Sequence, residues 1–155
     1  MKKKVIIAVA ALILVVTAIL FAISSNNKND FRKTNWGMTI EEVSKTESAV
    51  NTSSKSNELY YRLSDNYLLE GILTHTIYEF DGENHTLSKV RVGIFGEEFN
   101  SDYFLELARK FKEEYGECVS QKGAFEFVWE TGDTRITLYC LMEGTIEVTY
   151  EQIKE

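Results

Sequence analysis

Residues 125–150 read FEFVWETGDTRITLYCLMEGTIEVTY, three runs of alternating apolar residues separated by two turn signals. A two-residue Gly-Asp turn joins the first two runs. A two-residue turn in the second connection would place Cys140 opposite Glu147 and mix the two faces. A three-residue turn ending at Gly144 places Cys140 opposite Ile146 and keeps one face apolar. We therefore predict a three-stranded antiparallel meander with these facing pairs: Phe125–Cys140, Phe127–Leu138, Trp129–Ile136, Cys140–Ile146, Leu138–Val148 and Ile136–Tyr150.

An amphipathic helix is predicted before this meander, at residues 102–115. Ser101 is a suitable N-cap, and Gly116 stands where a left-handed residue commonly ends a helix. The apolar residues recur at helical spacing and form one stripe, which favours packing against a sheet. The stripe consists of Phe104, Leu107, Ala108, Phe111 and Tyr115.

A second helix signal lies near the start of the chain. Thr39 and Glu42 have the spacing of a capping box, and Met38 can pack on Val43 as a hydrophobic staple. We therefore predict a short helix at residues 40–48.

Three strand-like runs follow that first helix. After a predicted loop at 51–57, which is rich in Ser, Thr and Asn, alternating residues occur at 59–63 and 90–94. Residues 71–80 are apolar on both faces, which favours an interior position in a sheet, and a turn is predicted at 81–84. The order of one helix and three strands thus occurs twice. It predicts an α+β fold in which two similar halves form one antiparallel sheet with the helices on one face.

The N-terminus predicts a membrane segment. Three lysines precede residues 5–23, which carry no charge and would span about 28 Å as a helix. We expect residues 1–23 to be an uncleaved single-pass anchor at the cell membrane with its N-terminus in the cytoplasm, because the basic residues stand before the span. The alternative is a secretory signal cleaved near Ser24. Residues 24–31 are then a polar tether, and 32–155 form an extracytoplasmic domain.

Charge and composition exclude some functions. The chain of 155 residues has a net charge of −7, and removing the three N-terminal lysines leaves 14 basic and 24 acidic residues, a net of −10. A nucleic-acid-binding protein usually has a basic face, so we expect no nucleic-acid partner. Two cysteines and two histidines exclude a zinc site with four cysteines.

The stretch WGMTIEEV at residues 36–43 resembles the opening of bacterial exported domains that read W-G-M-[ST]-x-E-E-V. Those α+β domains are similar to the β-lactamase-inhibitor-protein fold and to small outer-membrane-assembly lipoproteins. The second half is similar too, since Tyr115-Gly116-Glu117 closes a helix as their Tyr-Gly-x-Pro does, although Cys118 replaces the proline. The resemblance implies a fold used for protein contacts, without catalytic residues.

Cys118 and Cys140 are candidates for a disulfide, because the strand after Cys118 pairs with the strand that carries Cys140. Outside the membrane such a bond can persist. It would close a loop of roughly 20 residues and stabilise the fold by about 3 kcal/mol in the chain-entropy model. The alternative is two thiols, one of them in the core.

Other titratable residues do not form a catalytic or metal-binding pattern. His75 and His85 lack carboxylates at metal-ligand spacing, and the adjacent acids at 97–98 and 113–114 cannot face each other across a cleft. The Asp-Gly-Glu-Asn stretch at 81–84 departs from the calcium-loop frame and is predicted to be a turn. We therefore predict no catalytic residue, metal or cofactor.

The sheet face opposite the predicted helices is the candidate binding surface. Alternation assigns to it Tyr60, Arg62, His75, Arg91 and Tyr139, together with Leu141. Aromatic residues and arginine are enriched in binding hot spots. The alternative is an ordinary half-polar sheet face.

The leading hypothesis for the function is a non-enzymatic, membrane-anchored module that binds an extracytoplasmic protein or an envelope component. One alternative is an envelope hydrolase whose acidic residues are brought together by folding. The other alternative is a structural or sensory ectodomain.

Overall fold

The computed structural model describes residues 30–47, 51–55, 57–64, 68, 73–94, 101–141 and 145–154. These residues form an α+β fold with two helices and eight strands. In chain order the elements are α1 (Ile40–Thr46), β1 (Asn51–Lys55), β2 (Glu58–Ser64), β3 (Leu73–Phe80), β4 (Leu87–Ile94), α2 (Ser101–Tyr115), β5 (Ser120–Lys122), β6 (Glu126–Thr131), β7 (Thr134–Leu141) and β8 (Thr145–Gln152).

The predicted membrane segment at residues 1–23 lies outside the described residues. Neither of the two helices that the structure describes is long and apolar enough to cross a membrane. Of the predicted tether at 24–31, only Asp30 and Phe31 are described. Phe31 belongs to the folded domain, since it is 1% exposed and its ring lies 4.8 Å from that of Tyr150.

All eight strands form one sheet in the order β1-β2-β3-β4-β8-β7-β6-β5. Every neighbouring pair is antiparallel, including β4 and β8, which join the two halves of the chain through pairs such as Val92 with Val148. Each half is therefore one helix followed by four strands, where we predicted three.

The two additional strands, β1 and β5, lie at the two edges of the sheet. β1 occupies most of the predicted 51–57 loop, and β5 has only three residues, all exposed. An edge strand needs only one backbone partner and no buried side chains, so polar residues can form it without apolar alternation. The prediction of strands depends on apolar alternation, so it does not include β1 and β5.

Five of the six facing pairs predicted for the second half are confirmed. The exception is Phe125–Cys140, because Phe125 lies just before β6 and is 64% exposed, although its carbonyl accepts a hydrogen bond from the Cys140 amide. β6 pairs with β7 through Trp129–Ile136 and Phe127–Leu138, with a two-residue turn at residues 132–133. β7 pairs with β8 as predicted, and Leu141 lies opposite Thr145 with three residues between them. The facing pairs are Cys140–Ile146, Leu138–Val148 and Ile136–Tyr150.

Both predicted helices are confirmed. Thr39 and Glu42 form the capping box of α1, which ends at Thr46, two residues earlier than predicted, because Glu47 is extended. In α2 the stripe faces inward, with Phe104, Leu107 and Phe111 at most 5% exposed. Gly116 ends α2 with a φ of 87°, as expected of a left-handed C′ residue.

The helices cover one face of the sheet. Phe104 packs against Phe127 with ring centroids 5.8 Å apart, and Phe111 packs against Trp129 at 5.5 Å. On the α1 side, the Ser44 hydroxyl lies 3.4 Å from that of Tyr61. Two rows of buried or half-buried side chains cross the sheet on this face: Leu59, Tyr78, Val90, Tyr150, Ile136 and Trp129 form one, and Tyr61, Thr76, Val92, Val148, Leu138 and Phe127 form the other.

Candidate functional site: the open face of the sheet

We call the sheet surface opposite the two helices the open face. Strand register places all five predicted binding residues on it: Tyr60, Arg62, His75, Arg91 and Tyr139. Arg62 lies directly opposite His75, but its side chain is outside the described residues, as is that of Leu141. The prediction of a shared face followed from alternation, and the strand order now shows how far apart its members lie.

Tyr60 and His75 form one pair at the β2–β3 side of the open face. The Tyr60 hydroxyl is hydrogen-bonded to His75 Nδ1, and the two rings pack edge to face with centroids 5.6 Å apart. Both side chains are half-buried. The contact fixes the orientation of both rings without removing them from the surface.

Arg91 lies near the middle of the sheet, on β4. Its Nε donates a hydrogen bond to Glu79 Oε1, and both side chains keep about a third of their surface exposed, 32% and 28%. Burial lowers the pKa of Arg91, but Glu79, with Glu147 and Glu58 nearby, outweighs this effect and raises it. Arg91 is therefore a fixed positive charge surrounded by acids.

Tyr139 forms the corresponding pair on the β7–β8 side. Its hydroxyl donates to Glu147 Oε1, and the Thr149 hydroxyl lies 3.5 Å from the same oxygen. Two effects raise the pKa of Tyr139 to about 12: burial is the larger, and the hydrogen bond to Glu147 is the next. Tyr139 is therefore a neutral donor at physiological pH.

Sequence reasoning did not identify Glu79 and Glu147, although they orient Arg91 and Tyr139. Alternation in β3 and β8 puts both acids on the open face, so a signal for their position was present. The predicted register of β7 and β8 already implies that Tyr139 lies opposite Glu147. The contact between Arg91 and Glu79 could not be inferred, because these two residues do not lie directly opposite each other on β3 and β4.

The chemistry of the open face fits recognition by contact. It offers phenol rings, an imidazole, a guanidinium and carboxylates, each held by a neighbouring side chain. Among the described residues, no three His, Cys, Asp or Glu side chains are grouped so that they could hold a metal ion.

The remaining titratable candidates lie elsewhere. His85 is exposed in the turn after β3, with a φ of 54°, and Glu113 forms an exposed ion pair with Arg109 on α2. Asp81 accepts hydrogen bonds from Lys154 and from two backbone amides of its turn, which lower its pKa to about 2. The acids at 97–98 are outside the described residues.

Cys118 and Cys140 are not joined by a disulfide in the structure, and both are half-buried against the core. The Val119 amide donates to the Val128 carbonyl at 2.8 Å, whereas the Cys140 amide donates to the Phe125 carbonyl at 2.9 Å. Cys118 precedes β5 and Cys140 lies on β7, and these two strands pair with opposite sides of β6. The predicted disulfide is therefore not formed in the structure.

Comparison with known proteins gives no family. No family model matches the chain, and no curated protein or solved structure is significantly similar to it. The resemblance of residues 36–43 to exported bacterial domains therefore stays a prediction.

Proposed function

We propose that this protein is a membrane-anchored, non-enzymatic module that binds another extracytoplasmic protein or an envelope component through its open face. The apolar residues 5–23 are its single-pass anchor, with the N-terminus in the cytoplasm and the domain outside. The protein needs no metal or cofactor for this role.

The observation that carries the proposal is the composition of the open face. Aromatic and arginine side chains, the types enriched in hot spots, share this surface opposite the two described helices: Tyr60, Arg91 and Tyr139. Each is held by a neighbouring side chain, so less conformational entropy is lost when a partner covers it.

The test is chemical crosslinking of tagged full-length protein in its own cells, followed by mass spectrometry of the captured proteins. We expect one recurrent partner, and we expect the double variant Tyr60→Ala/Tyr139→Ala to reduce its recovery by about tenfold, the effect of losing a typical hot spot.

The matched control is the double variant Leu105→Ala/Phe125→Ala. These two side chains are 57% and 64% exposed, and Leu105 lies on α2, away from the open face. Equal losses in both double variants would contradict the proposed surface. Absence of any recurrent protein would leave only the envelope component as the partner.

A further inference from the structure

A cleft of about 640 Å³ lies at one end of the open face. Its walls come from β3, β4, β7 and β8 and from residues 153–154, which follow β8. Its volume falls within the range of small-molecule sites, about 300–1,000 Å³. Local sequence patterns do not predict this cleft, because it is formed by strands from both halves of the chain.

Charges of alternating sign cross the floor of the cleft. Strand register places Glu79, Lys89, Glu151 and Arg135 side by side on four successive strands. Glu79 is engaged by Arg91. Arg135 is likewise engaged, with Nε 3.0 Å and Nη2 2.8 Å from one Glu130 oxygen.

Lys89 and Glu151 are different. They lie directly opposite each other on β4 and β8, yet neither makes an ion pair or a side-chain hydrogen bond with any residue that the structure describes. At the rim, Lys154 is already paired with Asp81. The cleft therefore presents one available cation beside one available anion.

We propose that this cleft binds a small zwitterion, a free amino acid or a short peptide. The ligand carboxylate pairs with Lys89, and its ammonium group pairs with Glu151. The half-buried Ile153 lines the cleft and supplies an apolar surface for the ligand side chain. This inference does not depend on the proposed protein partner.

The experiment is an NMR titration of ¹⁵N-labelled full-length protein in a nonionic detergent. The probes are L-leucine, N-acetyl-leucine without the ammonium group, leucinamide without the carboxylate, and trileucine. We expect L-leucine or trileucine to shift the amides of Lys89 and Glu151 with a Kd of about 1 mM. The two singly charged probes should bind about tenfold more weakly, because each loses one charge-assisted contact.

Variants show whether both charges are required. Lys89→Gln and Glu151→Gln should each weaken binding about tenfold, whereas the exposed Lys45→Gln on α1 should leave it unchanged. The swapped pair Lys89→Glu/Glu151→Lys should bind the zwitterion again, in the reverse orientation. Absence of zwitterion binding, or equal binding of all four probes, would overturn the proposal. A stronger response to trileucine than to leucine would identify the peptide as the ligand.

Discussion

Glu47 links the N-terminal turn to the sheet. Its side chain is 2% exposed, accepts a hydrogen bond of 2.6 Å from the Tyr78 hydroxyl, and lies 3.3 Å from Arg32 Nε. Arg32 lies in a tight turn in which the backbone groups of residues 31 and 34 are hydrogen-bonded to each other. The φ of Arg32 is 53°. Burial raises the pKa of Tyr78 most, and the hydrogen bond to Glu47 raises it further. Tyr78 is therefore a neutral donor.

Replacing Arg32 by alanine should lower the free energy of unfolding by about 3 kcal/mol, because Glu47 would stay buried without its cation. The exposed neighbour Lys33→Ala should change it by less than about 0.5 kcal/mol. Urea denaturation of the full-length protein in detergent measures both changes. Equal effects of the two substitutions would mean that the Arg32–Glu47 pair contributes nothing.

Asp30 makes a pH-dependent contribution to stability. Burial raises its pKa, the hydrogen bond from the Trp36 amide lowers it, and nearby Asp133 raises it again, so that the net shift is upward. A pKa above the unfolded value means that protonated Asp30 favours the folded state. This stabilisation is present at low pH and is lost as the pH rises through the folded pKa.

Asp30→Asn should therefore raise the Tm at neutral pH, and the gain should vanish near about pH 3, where the wild-type carboxyl is protonated. The asparagine oxygen can still accept the hydrogen bond from the Trp36 amide. Thermal scans across this pH range measure the difference, and the exposed Glu114→Gln serves as the control. A gain that is independent of pH would show that the charge of Asp30 is not its cause.

At the scale of elements, the end of α2 is fixed by a glycine and a tryptophan. The Gly116 amide donates to the Lys112 carbonyl at 2.9 Å, and Trp129 Nε1 donates to the Gly116 carbonyl at 3.0 Å. A Cβ at position 116 would meet no atom within 4 Å. The only obstacle to a side chain there is backbone strain, because the φ of 87° lies in the left-handed region.

Gly116→Ala should therefore destabilise the protein by about 1–2 kcal/mol, the cost of a left-handed alanine. Gly82 is the matched control, because its φ lies outside the left-handed region and an added Cβ would make only an ordinary contact, at 3.9 Å from Asn57 Nδ2. Gly82→Ala should be neutral or slightly stabilising. Denaturation midpoints of the two variants test this, and equal losses would rule out backbone strain as the cause.

Helices, turns and strands differ in how well the sequence predicts them. The helices, the 132–133 turn and the register of β6, β7 and β8 all depend on local spacing, so the sequence alone predicts them. The edge strands β1 and β5 were missed because their polar residues carry no alternating pattern. Thr74 and Thr76 are buried in the inward face of β3, where polarity alone would have placed them outside.

For the whole molecule, the pairing of β4 with β8 builds one surface from two halves. It brings His75 and Tyr139, more than sixty residues apart in the chain, onto the same open face. Alternation predicted that these residues share a face. The predicted register of β7 and β8 also implies the pair Tyr139–Glu147. The contact His75–Tyr60 and the Lys89–Glu151 cleft could not be predicted, since they depend on strand pairings outside that meander.

We propose that the open face, and not the helix side, contacts the partner. Site-specific photo-crosslinking in cells tests this proposal, with the photoreactive group placed in turn at Tyr60, Tyr139, Leu105 and Phe125 of the full-length protein. Leu105 and Phe125 are among the most exposed apolar side chains, so they control for nonspecific contact. We predict that Tyr60 and Tyr139 capture the same partner while Leu105 and Phe125 capture none. Capture from Leu105 and Phe125 alone would show that the partner does not bind through the open face.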